Sequence, residues 1–207
     1  MKIIETGLQF EGLRVRRETS LIVLHHSASA DVAAAEIHSW HRAKGWAGIG
    51  YHFVIRKDGS IERGRPQEMI GAHAGSGVNG FSIGICLCGN FMEELPSDEQ
   101  LVSLVELVVW LRQYYRTAAG VELEVKLHRE VAATDCPGSR FPAQQLVGLL
   151  QLAMAEEGGE QMEDWKAKIL QEAKAAGLIK DDHQPDELAP KWFVLTVALN
   201  ALKLTKS

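Results

Sequence analysis

The sequence predicts an α/β fold: a mixed central sheet of about five or six strands flanked by helices. Three observations predict it. SLIVLHH (Ser20 to His26) and SIGICLCGN (Ser82 to Asn90) are apolar on both faces, as strands covered on each side are. Helix-period segments alternate with these strand-like runs. GYHFVIRKDGSIERG sets two short apolar runs around Asp58-Gly59, a strong hairpin signal.

Each element has a local cause. From Asp31 to Lys44, Ala33, Ile37 and Trp40 recur at helical spacing, and Gly45 stops the helix. GAHAGSGVNG (Gly71 to Gly80) is a glycine-rich loop without the Gly-Lys-Ser/Thr ending of a phosphate loop. SDEQ (Ser97 to Gln100) is a capping box, and the helix it opens carries Leu101, Leu104, Val105, Val108 and Leu111 on one side until Gly120. VELEVKLH (Val121 to His128) alternates strictly, sending His128 to the polar face of a strand. A last helix runs from about Pro142 to Glu156.

EEGGEQ (Glu156 to Gln161) reads as a linker, so the expected division is residues 1–157 and 158–207. Beyond it, Trp165, Ile169, Ala173 and Ala176 stripe one amphipathic segment; Trp192, Leu195, Leu199 and Leu202 stripe a second, opened by Pro190. The expectation is a small C-terminal helical hairpin.

Composition excludes several function classes. Of 207 residues, 46% are hydrophobic and 24% charged, the proportions of a globular protein with a sizeable core. A net charge of -5 without a basic block argues against nucleic acid as a partner. No stretch has the length of a transmembrane span, and MKIIETGLQF lacks a signal peptide's apolar region, so synthesis in the cytoplasm without a signal peptide is expected. Three cysteines are too few, and odd in number, for a disulfide framework. Cys86 and Cys88 share one face of an apolar strand and read as core thiols rather than a redox pair.

The remaining cysteine lies in LHREVAATDCPG (Leu127 to Gly138), eight residues after His128. His25 ends one strand and His128 another, and strand ends are where a rigid scaffold presents functional groups. Cys136 admits three readings: a packed thiol, a redox group, or a metal ligand. If these strands are neighbours, two imidazoles and a thiolate converge in a set that suits zinc. Spacing alone does not decide it. His26, on the opposite face from His25, and His52 read as structural; His38 and His41, at i and i+3, read as packing or solvated rather than as a second metal pair.

The ordered blocks LIVLHHSAS, GWAGIGYHFVIRKDGSIERGRP, IGAHAGSGVN, SIGICLCGNF and HREVAATDCPG resemble the type-2 N-acetylmuramoyl-L-alanine amidases, a family related to the peptidoglycan recognition proteins. The resemblance spans residues 18 to 150. It implies zinc held by His25, His128 and Cys136, with Tyr51 beside the scissile carbonyl. Thr134 stands where some phage members carry a catalytic lysine and many recognition proteins carry threonine, and His73 and Asn79 are implied to line the glycopeptide groove. The implied activity is hydrolysis of the lactyl–L-alanine amide of peptidoglycan, by an endolysin or prophage enzyme released through a holin or lysis, or by a host autolysin. A non-catalytic peptidoglycan-binding protein is the alternative on the same fold. The tail, with its W…GLI…PDE…WF pattern over residues 163 to 204, resembles helical wall-binding modules; docking or self-association of the hairpin is the other reading.

Overall fold

The strand β2 (Leu21–His26) is buried at every position because parallel strands pair it on both edges. One neighbour is β5 (Ser82–Leu87), equally buried throughout; the other is the edge strand β6 (Glu124–Leu127). Beyond β5 lie β3 (Phe53–Ile55), β4 (Ile61–Arg63) and β1 (Ile3–Ile4), giving a six-stranded sheet in the order β1-β4-β3-β5-β2-β6. Only the β3–β4 hairpin is antiparallel. The sheet is mixed and six-stranded, as the sequence predicts. The computed structural model describes residues 1–157. The predicted C-terminal hairpin lies outside the described residues.

The predicted local signals are present. Gly59 takes φ +81° in the hairpin turn, and Asp58 accepts hydrogen bonds from the Ser60 amide and hydroxyl. Helix α1 (Ala34–Ala43) follows β2. A short helix α2 (Ser76–Asn79) forms within the glycine-rich loop. Helix α3 (Asp98–Ala119) opens on the Ser97–Gln100 capping box and closes at Gly120, φ +66°. Gln100 also donates to Ile55 O at 3.2 Å and Cys88 O at 2.8 Å, fastening the helix start to the ends of β3 and β5. Met1–Pro142 forms one compact unit; a second begins at Ala143 with α4 (Ala143–Glu157).

Parallel register puts paired residues on one face. Val54 and Cys88 pack with Val32, Ala34, Ile37 and Ile49, so α1 covers this face. Leu21 and Val23 continue it with Ala74. Ile22, Leu24, Phe53, Ile55, Ile83, Ile85 and Leu87 point the other way and are fully buried. Cys86 and Cys88 are both buried in the core.

Three local expectations shift. Strand β1 had no sequence signal. His128 does not end β6 but begins a 3-10 turn, His128–Glu130, so turn geometry rather than strand alternation aims its ring. In α1, Trp40 is exposed and His41 is buried instead. The reason is polar: His41 Nδ1 accepts the Gly50 amide at 3.0 Å, and His38 Nδ1 accepts the Ile49 amide at 3.3 Å. These two histidines hold a loop.

The loop they hold is also clasped by Arg65, which donates to Ile49 O at 2.9 Å and Ile70 O at 2.8 Å. A buried guanidinium satisfied by carbonyls fixes the backbone on both sides of it. The two segments it joins run very close: a Cβ on Gly50 would sit 2.0 Å from Ala72 O. Gly50→Ala therefore forces the backbones apart and is expected to cost about 1–3 kcal/mol or more, read as a lower urea midpoint. An unchanged midpoint would mean that the close approach carries no stability.

Burial also sets an acid limit. His41 is held at about 4, and His52 well below the usual imidazole value of 6.5, in both cases first by burial, then by Lys44 and Arg65 near His41 and by His73 and Arg16 near His52. Below pH 6.5 the unfolded chain takes up protons that these folded imidazoles refuse. Stability then falls with acidification, by up to about 1.4 kcal/mol per pH unit for each such group. Melting temperatures should drop steadily between pH 7 and 5; a flat profile would refute this linkage.

Candidate metal centre

The carboxyl ends of β2 and β6 bring the first two site residues together. Leu24 pairs with Leu127, so His25 and His128 come next side by side, their ring centroids 4.4 Å apart. Crevices outside the carboxyl ends of parallel strands are where open α/β sheets bind ligands. Cys136 reaches the same point from the turn after the 3-10 segment. Its carbonyl accepts the Arg129 amide at 2.8 Å, and Arg129 Nη1 donates to Gly138 O at 2.8 Å. Gly138 lies at φ +107°, and a Cβ there would be 2.3 Å from the Phe91 carbonyl carbon, so this turn requires glycine.

The result is a compact donor set. One ligand atom from each of His25, His128 and Cys136 lies within 4.8 Å of the others, the only such His/Cys/Asp/Glu cluster among the described residues. Cys136 Sγ is 3.8 Å from His25 Nδ1 and accepts the His26 amide at 3.5 Å. Burial lowers both imidazoles, well below 6.5 for His25, where His73 and His128 add to it. They are therefore neutral, the form that offers a lone pair to a metal. Burial pushes the Cys136 thiol up to about 11, against the amide bond from His26 and the charge of Arg129. A cation at this point would reverse that, because a coordinating thiol is deprotonated outright. Two neutral imidazoles and a thiolate fit zinc in a three-ligand site with an open fourth position.

Tyr51 stands beside the cluster, its ring centroid 5.1 Å from that of His25. Burial first, then the Cys86 and Cys136 thiols, raises its phenol well above 10, so it remains a donor at neutral pH. Thr134 is exposed, and its hydroxyl oxygen accepts the Cys136 amide at 3.3 Å. The predicted groove residues are placed differently from one another. His73 is buried, with Nδ1 3.0 Å from His25 Nε2. Asn79 is half-buried, and its Oδ1 accepts the amides of His73 at 3.0 Å and Ala74 at 2.9 Å. His26 and His52 have structural partners, accepting the amides of Phe91 at 3.1 Å and Gly84 at 2.9 Å.

Sequence reasoning missed Ser82, whose Oγ is 3.4 Å from His73 Nε2, and the slot that Gly71 and Gly84 leave for the His73 ring. The available signal was Gly84 inside an apolar strand, which marks the close approach of another group.

Fold and donors together define an α/β protein with a three-donor candidate metal site at one sheet edge. The chain belongs to the N-acetylmuramoyl-L-alanine amidase family, whose model matches residues 15–139. An endolysin of Klebsiella phage KP32 is 38% identical over 130 residues, 59% of this chain and 82% of that protein. The solved N-acetylmuramoyl-L-alanine amidase LysC from Clostridium intestinale superposes with a TM-score of 0.68 at 38% identity, covering 73% of this chain and 98% of that one. Peptidoglycan recognition protein 1 of Bos indicus is 33% identical over 138 residues, 62% of this chain and 71% of that protein.

Cobalt reports directly on the thiol. Adding Co(II) to the metal-free protein is expected to give sulfur-to-metal charge-transfer absorption in the near ultraviolet, absent from Cys136→Ser. A band that survives in the variant would move the thiolate role to another cysteine.

Proposed function

We propose that this chain is a zinc-dependent N-acetylmuramoyl-L-alanine amidase that hydrolyses the amide between the lactyl group of N-acetylmuramic acid and L-alanine of the peptidoglycan stem. One observation carries the reading: His25, His128 and Cys136 converge within 4.8 Å beside Tyr51, in a chain of the amidase family. A zinc ion held by these three residues supplies Lewis acidity and lowers the pKa of water to about 7.

The chain's own groups do the rest. Tyr51, protonated, donates to the carbonyl oxygen as negative charge grows there in the transition state. The Thr134 hydroxyl, exposed and two residues from Cys136, is the second donor in this reading. Thr134 also caps the Cys136 amide, so it shapes the turn that carries the thiol. His73 and Asn79 organise the loop bordering the site, with the half-buried Asn79 as its contact with the glycopeptide. The reading places the protein on the cell wall after release from the cell that makes it, as the endolysin relative supports. An autolysin would use the same chemistry.

A second reading, a peptidoglycan-binding protein without catalysis, draws on the likeness to peptidoglycan recognition protein 1. One experiment separates the two. Purified peptidoglycan is digested with the protein, with and without a chelator, and freed L-alanine amino groups are assayed. The amidase releases them, stops on chelation and recovers with zinc. Sedimentation with peptidoglycan and no release would favour the binding protein, and undiminished release by metal-free protein would end the zinc reading. Tyr51→Phe is expected to lose about 100- to 1000-fold in kcat with zinc content unchanged, and a rate close to the parent's would remove Tyr51 from the transition state.

A further inference from the structure

His73 is a buried imidazole that touches a candidate ligand, and each of its ring nitrogens has a defined neighbour. Nδ1 lies 3.0 Å from His25 Nε2, and Nε2 lies 3.4 Å from Ser82 Oγ. The rings of His25 and His73 meet nearly edge-on, at 82°.

The proton positions along this chain follow from one fixed end. The Ser82 hydroxyl donates its single hydrogen to Val78 O at 2.8 Å, so toward His73 its oxygen can only accept. His73 Nε2 must then carry a hydrogen. A neutral imidazole has only one, so His73 Nδ1 presents a lone pair. The partner facing that lone pair, His25 Nε2, must be the donor. His25 Nδ1 is left with its lone pair, and that nitrogen is the one 3.8 Å from Cys136 Sγ.

The scaffold is shaped to hold His73 in this position. Its ring is sandwiched by two glycines: a Cβ on Gly71 would come within 2.4 Å of its Cδ2, and one on Gly84 within 2.5 Å of its Cγ. Its backbone amide is fixed by Asn79 Oδ1 at 3.0 Å. Gly84 lies on the same strand face as Cys86, whose register partner is His25. Sheet pairing thus sets the spacing between the slot and the ligand.

We infer that His73 is a positioning residue for the metal centre: relayed from Ser82, it holds His25 in the Nε2–H tautomer and aims His25 Nδ1 at the metal position shared with His128 and Cys136. Groups that accept the second N–H of a ligating histidine orient its ring, and losing one typically costs about 10- to 100-fold in metal affinity. The inference rests on the zinc reading above, but its first test needs no metal.

Long-range proton–nitrogen correlation spectra of the metal-free protein report the tautomer of each histidine. Both His25 and His73 are expected as Nε2–H; His25 as Nδ1–H would overturn the inference. Zinc affinity is then measured by competition with a chromophoric chelator. His73→Leu and His73→Asn have nearly the same shape, but only Asn keeps an acceptor where Nδ1 stood. His73→Leu is expected to weaken zinc binding by about 10- to 100-fold, with His73→Asn restoring most of it. Equal affinity for the Leu variant and the parent overturns the inference alone, as does an Asn variant no better than Leu. A parent that binds no zinc overturns the metal reading and this inference together. Should the Leu variant not fold, Ser82→Ala decides: the mixed tautomers and weakened zinc binding expected support the relay, and an unchanged spectrum and affinity refute it.

Discussion

The parallel pairing of β2 between β5 and β6 is the constraint on which the site depends. It sets His25 across from Cys86 on one side and, one residue past Leu24 and Leu127, next to His128 on the other. Side chains in a strand alternate with a period of two, so a register slip of one residue would exchange every face assignment. His26 would take the place of His25, and its ring now packs on Phe91 on the far side. Such a slip is costly because Ile22, Leu24, Ile83 and Ile85 on that far face are fully buried. The hydrophobic core and the placement of the donor atoms are therefore one property of the sheet.

Groups that strands do not deliver arrive on loops, and these loops are tied down by backbone hydrogen bonds. Cys136 sits in a turn bound to Arg129 and to the Phe91 segment, whose carbonyl accepts the Arg140 amide at 2.8 Å. Tyr51 follows a stretch held by His38, His41 and Arg65. Its own carbonyl takes the Arg65 amide at 2.8 Å, and the next residue, His52, donates its amide to Gly84 O at 2.9 Å. Rigid support of this kind matters because functional groups must be held within fractions of an ångström of their working geometry.

Much of this was legible in the sequence, for identifiable reasons. SLIVLHH and SIGICLCGN announce themselves because strands covered on both faces need uninterrupted apolar residues. Ser97 and Gln100 announce the α3 start because free helix amides need partners nearby in the chain. What escaped depended on distant partners. Strand β1, two residues long, pairs with β4 across 58 positions and has no periodicity to read. The exposed face of α1 was misjudged at Trp40 because the amide that draws His41 inward belongs to Gly50. His128 looked like a strand residue because VELEVKLH alternates to its end, yet the Glu130 carboxylate reaches back to the Leu127 amide and turns the chain there. His25, His128 and Cys136 are legible as a candidate donor set from their strand ends and turn, and the family resemblance favours that reading; their convergence depends on the strand order, which the sequence does not state.

Histidine makes the same point more sharply, because seven of the eight in the chain are described and no two families of role differ in residue type. Role follows from where each ring nitrogen spends its lone pair. His26, His38, His41 and His52 each accept a backbone amide at Nδ1, from Phe91, Ile49, Gly50 and Gly84 respectively. A lone pair committed to an amide is not available to a metal, so these four rings are building material whatever their proximity to the site. His25 is arranged in reverse. Its Nε2 faces another imidazole and its Nδ1 faces the thiol, so the nitrogen aimed at the site is the one with a lone pair to give. Buried histidine is common, and adjacency to a candidate ligand, as in His25-His26, says little. The accounting of ring nitrogens separates a ligand from a brace, and it requires every partner to be in place.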